Sequence, residues 1–186
     1  MSTLSKNNPS QIFQTAHKPI LSINLSAKSV SSPEMLEYIL LQIKEYHYPP
    51  DHIIFEITEQ SSIKNINTTI KFINCLSGMG VRFALDDFGI GFSSLSMLKK
   101  LPIHFLKIDK SLLEGAENDT KSLKMLEHIS AMAKALNIEV ILEGVETFLA
   151  YRIAKKLKID YCQGYLFGIP QMELDQTEVK PFQVIS

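Results

Sequence analysis

The sequence predicts an α/β fold built on a parallel sheet, of the (β/α)-barrel type. Short apolar runs rich in β-branched residues alternate with longer amphipathic stretches, which is the pattern of parallel strands joined by crossover helices. Several of the runs are apolar on both faces, as strands covered on both sides are. The six predicted strands are residues 21–25, 53–57, 81–85, 105–108, 139–142 and 161–167.

Two amphipathic helices are predicted between these strands, because apolar residues recur every three or four positions. The apolar residues are Leu36, Ile39, Leu40 and Ile43 in the first helix and Met125, Ile129, Met132 and Leu136 in the second. Ser32 before Pro33 predicts an N-cap for the first helix. Asp119 is expected to cap the second helix, over residues 120–136, and Asn137 to end it.

Composition favours one globular domain with a small ligand. The 186 residues are 45% hydrophobic, and 19 Lys and Arg stand against 20 Asp and Glu, so no basic surplus points to DNA or to an anionic membrane. Residues 1–18 lack the apolar core of a signal peptide, and no apolar run is long enough to span a bilayer. We therefore expect a cytoplasmic protein with one domain over residues 1–186, in which 1–18 are a residual N-terminal helix or tail and 171–186 a C-terminal tail.

Polar side chains mark the carboxyl end of nearly every predicted strand. These residues are Asn24, Glu56, Asp86, Asp87, Lys107, Asp109, Glu143 and Gln163. In a parallel α/β barrel, the carboxyl ends of the strands meet on the face where active sites are built. The sequence therefore predicts one site on that face.

Several carboxylates that converge in apolar surroundings repel one another, and a hard cation with oxygen ligands relieves the repulsion. Mg²⁺ or Mn²⁺ fits such donors best, whereas the five histidines show no paired spacing for zinc. The adjacent pair Asp86 and Asp87 could address two neighbouring ions if the backbone breaks the pleat there. This arrangement favours a two-metal site that attacks a phosphodiester with water.

Each feature also has a simpler interpretation. Asp86–Asp87 could be a turn or a helix cap, Lys107 a partner in a salt bridge, and Glu59 a cap of the next segment. A metal-dependent lyase that uses Lys107 as its base is a further alternative. The joint occurrence of polar residues at successive strand ends favours a functional site.

Six motifs resemble the EAL family of cyclic di-GMP phosphodiesterases in order and spacing, from Gln11 to Pro170. They are residues 23–26 (INLS), 56–59 (EITE), 86–94 (DDFGIGFSS), 106–109 (LKID), 143–147 (EGVET) and 163–167 (QGYLF). The resemblance implies metal-assisted hydrolysis of cyclic di-GMP to linear pGpG, with Mg²⁺ or Mn²⁺.

The resemblance also implies a role for each site residue. Asn24, Glu56 and Asp86 would bind the first metal and Asp87 the second. Lys107 would hold or deprotonate the attacking water, and Glu143 would lie near it. The residues expected to bind substrate or to support the site are Asp109, Gln163, Glu59 and Glu146.

The family's Glu-Ala-Leu motif, with its metal-binding Glu and phosphate-binding Arg, is not found upstream of Asn24. We therefore expect an incomplete barrel of about six strands that lacks the first two strand-helix units, whereas a complete barrel has roughly 250 residues. Such a barrel would expose the edges of its first and last strands and an apolar interior. A homodimer or a protein partner could cover the open edge.

Two functions follow from this pattern. The first is a phosphodiesterase-like domain whose catalysis is impaired or absent. The second is a degenerate module that binds cyclic di-GMP or a protein without turning anything over.

Overall fold

The computed structural model describes residues 19–58, 66–90, 95–169 and 183–184. In this part of the chain, seven strands form one sheet in sequence order. The strands are β1 (Leu21–Leu25), β2 (Ile53–Thr58), β3 (Arg82–Phe88), β4 (Phe105–Ile108), β5 (Glu139–Leu142), β6 (Tyr161–Cys162) and β7 (Gln183–Val184). Strands β1 to β6 are parallel, as predicted.

Helices alternate with these strands. They are α1 (Ala27–Val30), α2 (Pro33–Tyr46), α3 (Ile66–Ser77), α4 (Leu95–Lys100), α5 (Lys110–Asn118), α6 (Thr120–Ala135) and α7 (Phe148–Lys156). A 3₁₀ turn, Pro50–His52, precedes β2. No helix in the described ranges combines the length and the apolar character that crossing a bilayer requires.

The predicted caps of α2 and α6 are confirmed. The Ser32 hydroxyl accepts a hydrogen bond from the Met35 amide at 3.1 Å, and the Asp119 carboxylate accepts one from the Ser122 amide at 2.8 Å. Each bond satisfies an amide that the first turn of a helix leaves without a partner. Helix α6 ends at Ala135, one residue earlier than predicted, because the chain then turns into the left-handed conformation at Asn137.

The two faces of the sheet pack into separate apolar layers. The larger layer lies between the sheet and the helices. The smaller layer, on the inner face, consists of Ile54, Ala84, Phe105 and Ile141, each no more than 2% exposed. This layer corrects the expectation of an exposed apolar interior. Part of its cover is the guanidinium of Arg82, which lies 5.1 Å from the centre of the Phe105 ring and is attracted by its π electrons.

Two strand ends differ from the prediction by more than one residue. Strand β3 continues through Phe88, so Asp86 and Asp87 lie within the strand and not after it. Strand β6 ends at Cys162, five residues before the predicted end. Strand β7, in the segment expected to be a tail, pairs antiparallel with β6 and covers the edge that was expected to be unpaired.

Strand β6 is short because the chain turns there to bond with the backbone of Val145. The Val145 amide donates to the Gln163 carbonyl at 3.0 Å, and the Leu166 amide donates to the Val145 carbonyl at 3.1 Å. Gly164 lies between these bonds, and a Cβ added to it would come within 2.4 Å of the Val145 nitrogen and oxygen. Only glycine permits this close approach of two backbone segments.

We expect Gly164→Ala to lower the free energy of unfolding by about 1–3 kcal/mol, because the new methyl group must push the Val145 backbone away. Gly168→Ala is the matched control, since nothing lies within 4 Å of a Cβ at that position. Urea denaturation of both variants measures the difference. Equal stability of the two variants would contradict this account of the β6 end.

Candidate active site

One buried ammonium group brings three carboxylates together. The Nζ of Lys107 lies 2.8 Å from Glu56 Oε2, 3.0 Å from Asp86 Oδ1 and 2.8 Å from Glu143 Oε1. Lys107 is 4% exposed and Glu56 6% exposed. The three acids come from β2, β3 and the residue after β5. The structure thus unites residues that are far apart in the sequence.

The strand register explains why these side chains meet. Glu56 pairs with Ala84, Ala84 pairs with Phe105, and Lys107 pairs with Ile141. Because residues two apart in a strand share a face, the charged group lies directly above the apolar inner layer. The acids and Lys107 each follow a residue of that layer by two positions.

A bulge in β3 separates the two adjacent aspartates. Leu85 pairs with Leu106 and Phe88 with Ile108, so two residues of β3 lie opposite Lys107 alone. Asp87 adopts a φ of 61°, which Asp tolerates better than most residues. The break in the pleat that a two-ion interpretation requires is therefore present. Bulges of this kind redirect side chains beside active sites.

Lys107 is held in its charged form. Burial by itself lowers the pKa of Lys107, but hydrogen bonds and charge from Glu143 and Glu56 outweigh burial and raise the pKa above its ordinary value. The pKa of Glu143 is also raised, first by burial and then by the charges of Asp86 and Glu56, although Lys107 opposes the shift. Glu143 is therefore more basic than an ordinary glutamate.

The site carries more negative than positive charge. Burial raises the pKa of Asp87, and the nearby charges of Asp86 and Asp109 raise it further, against the opposing effect of Lys107. Asp86 Oδ1 is buried and accepts no hydrogen bond of good geometry, although it lies within ion-pair distance of Lys107. An excess of carboxylate oxygens, one of which is buried without a hydrogen bond, suits binding of a hard cation.

The donor chemistry of the predicted ligands therefore fits a divalent metal. Asn24 pairs in register with Glu56 and so lies on the same face, and β2 separates it from Asp86 and Asp87 on β3. Within the described ranges, no three Asp, Glu, His or Cys side chains are close enough as placed to enclose an ion. The ammonium of Lys107 stands among the carboxylates instead.

The remaining predicted residues differ in their positions. Asp109 caps α5 by accepting a hydrogen bond from the Ser111 amide at 2.8 Å, and it is close enough to affect the titration of Asp87. Gln163 is exposed directly after β6. Glu146 is exposed ahead of α7 and is not one of the acids that contact Lys107. Glu59 lies outside the described residues.

The sequence prediction missed Ser22. Its hydroxyl donates a hydrogen bond to Glu56 Oε1. Ser22 precedes Asn24 by two positions on β1, so the period-two pattern of a strand places it on the same face. Extending the search two residues back from each strand end would have found it.

The profile of the family described as "EAL domain" matches residues 3–170. The chain belongs to the EAL domain family. This EAL domain is 37% identical over 150 residues to the signaling protein YkoW of Bacillus subtilis, covering 81% of this chain and 19% of that protein. It is 34% identical over 151 residues to the cyclic di-GMP phosphodiesterase PdeB of Shewanella oneidensis, covering 81% of this chain and 18% of that one. The chain spans about a fifth of the length of these two curated relatives.

Solved structures show the same fold. The EAL domain matches the EAL enzyme Bd1971, bound to cAMP and cyclic di-GMP, with a TM-score of 0.78 and 31% identity over 82% of this chain and 40% of that one. It matches a calcium and cyclic di-GMP complex of Klebsiella pneumoniae BlrP1 with a TM-score of 0.72 and 27% identity over 78% of this chain and 37% of that one. The predicted fold class and family are therefore confirmed.

Lys107→Met should lower the free energy of unfolding of the EAL domain by about 3–5 kcal/mol at pH 7, because it leaves buried carboxylates without their cation. The loss should be smaller at pH 5. Glu143, whose pKa is already raised, takes up a proton more readily once Lys107 is gone, and the repulsion then falls.

Chemical denaturation at both pH values measures this effect, with the exposed Lys99 changed to Met as the control. The control should stay within about 0.5 kcal/mol of the original chain. A Lys107→Met loss that is the same at both pH values would argue against repulsion among the carboxylates as its cause.

Proposed function

We propose that this EAL domain binds cyclic di-GMP and hydrolyses it to linear pGpG with the help of divalent metal ions, at the impaired rate expected from the sequence. The observation that supports the proposal best is the convergence of Glu56, Asp86 and Glu143 on Lys107 at the ends of parallel strands. PdeB is named as a cyclic di-GMP phosphodiesterase, and Bd1971 and BlrP1 were solved with cyclic di-GMP bound.

The proposed metal ions are Mg²⁺ or Mn²⁺, held by Asn24, Glu56, Asp86 and Asp87. When bound, such ions make water a better nucleophile at neutral pH and neutralise charge on the phosphate. The pair Asp86 and Asp87 suits two ions because the bulge gives the two carboxylates different directions.

Lys107 is proposed to hold the attacking water in place and not to act as a base. Its ammonium donates to Glu56 and lies within ion-pair distance of Asp86 and Glu143, and these contacts keep it protonated. An ammonium group has no lone pair with which to accept a further proton. Of the two roles expected for Lys107, holding the attacking water in place fits this geometry better.

Glu143 is proposed to accept a proton from the attacking water. Its pKa is raised by burial and by Asp86 and Glu56, and a carboxylate with a raised pKa is a better general base near neutral pH. The oxygen of that water then bonds to phosphorus, the bond from phosphorus to one ribose oxygen breaks, and this ribose oxygen takes up a proton from solvent and leaves as a hydroxyl group. The product is the linear dinucleotide.

Incubation of the protein with cyclic di-GMP and Mn²⁺, followed by chromatography of the nucleotides, tests this function. We expect linear product from the original chain and a loss of at least 10²-fold in kcat for Lys107→Met, because a preorganised charged group is removed from the site. Glu127→Gln, an exposed change on α6, is the control and should keep full activity. Absence of any linear product from the original chain would contradict hydrolysis.

A second candidate function is recognition of cyclic di-GMP without hydrolysis. The favouring observation is that Lys107 alone contacts three carboxylates, so the site is partly neutralised without a metal ion. A homodimer or a protein partner at the β1 edge would belong to this candidate as well.

Calorimetry with cyclic di-GMP and no added metal distinguishes this candidate. Binding in the presence of EDTA, in a sample that produces no linear product with Mn²⁺, is the result expected of a recognition module. If nucleotide binding requires Mn²⁺, the metal-dependent enzyme is favoured instead. If no heat is detected with or without Mn²⁺, recognition of this nucleotide is excluded.

A further inference from the structure

The carboxylate of Glu56 is held at both of its oxygens by different strands. The Ser22 hydroxyl on β1 bonds to Oε1, and Lys107 Nζ on β4 donates to Oε2 at 2.8 Å. Glu56 is 6% exposed and Lys107 4% exposed, so this ion pair is shielded from water, whereas Ser22 lies on the exposed strand β1. The carboxylate cannot turn about its terminal bond without losing one of these bonds.

The register shows that this contact is built into the sheet. Ser22 pairs with Ile54, and Asn24 pairs with Glu56, so Ser22 lies on the inner face and diagonal to Glu56. A diagonal neighbour on a parallel strand is within reach of a long side chain. Strand β1 therefore presents to Glu56 both the hydroxyl of Ser22 and, two residues later, the amide side chain of Asn24.

We propose that Ser22 is a positioning residue of the site, which fixes the Glu56 carboxylate so that Oε2 faces Lys107 and the aspartates of β3. Its consequence for metal binding and hydrolysis rests on the proposed function. Groups that hydrogen-bond and orient metal ligands typically change metal affinity or activity by about 10–100-fold when they are removed. A serine that merely occupied a place on the strand would have no such effect.

Three variants test this role. Ser22→Ala removes the hydroxyl, Ser22→Thr keeps it on a residue that favours strands, and Ser31→Ala changes an exposed serine after α1. Calorimetric titration with Mn²⁺ in the absence of nucleotide should show a dissociation constant raised about tenfold or more for Ser22→Ala. Ser22→Thr and Ser31→Ala should bind as the original chain does.

Steady-state hydrolysis gives a second readout. We expect kcat of Ser22→Ala to fall while KM for cyclic di-GMP stays within about twofold, because an interaction with the ligand set is lost and contacts to the nucleotide are kept. Unchanged Mn²⁺ affinity in Ser22→Ala would overturn the proposal, and so would an equal loss in Ser22→Thr. Weaker Mn²⁺ binding by Ser22→Ala supports the proposal even if the original chain hydrolyses no cyclic di-GMP. Absence of hydrolysis would contradict the proposed function but not the positioning role of Ser22.

Folding measurements decide the matter if the original chain binds no Mn²⁺. Ser22→Ala should then lower the folding equilibrium constant in the original chain and leave it unchanged in a Glu56→Ala background, because the two residues act through one bond. An equal decrease in both backgrounds would show that Ser22 does not act through Glu56 and would overturn the proposal.

Discussion

The ion pairs of Lys107 are the constraint on which the rest of the site depends. Three carboxylates at the ends of parallel strands would repel one another in a setting with little water, and the ammonium at 2.8–3.0 Å from each of them offsets that repulsion. Such a group is costly to bury and more costly to break. The buried ion pairs therefore reduce the stability of the sheet at this point, and they fix the positions of the carboxylate oxygen atoms.

The architecture below the site makes this arrangement possible. Ile54, Ala84, Phe105 and Ile141 form an apolar floor on the inner face, and the charged residues follow two positions later on the same strands. Because side chains two positions apart in a strand point to the same face, the aligned strands carry two layers on that face, an apolar floor and a charged layer above it. The bulge in β3 then adds Asp87 without moving Asp86 from the inner face.

Much of this arrangement could be predicted from the sequence, because a residue at the carboxyl end of a parallel strand lies on the same face of the barrel as the corresponding residues of the other strands. Glu56, Asp86, Lys107 and Glu143 were expected on one face, and the structure brings them together.

Other features depend on contacts between distant segments, which no local pattern encodes. The end of β6 is set by the backbone of Val145, the pairing of β7 by a segment that looked like a tail, and the role of Ser22 by its reach to the next strand. The capped ends of α2 and α6 were predicted because a cap acts within four residues.

The charge state of Lys107 tests the central claim most directly. Nuclear magnetic resonance of the protein labelled with ¹⁵N at the lysine side chains follows the Lys107 ammonium as pH rises. We expect it to keep its proton beyond the ordinary lysine pKa of 10.5, since Glu143 and Glu56 stabilise the charge. Titration at or below that value would contradict an ammonium held among three carboxylates.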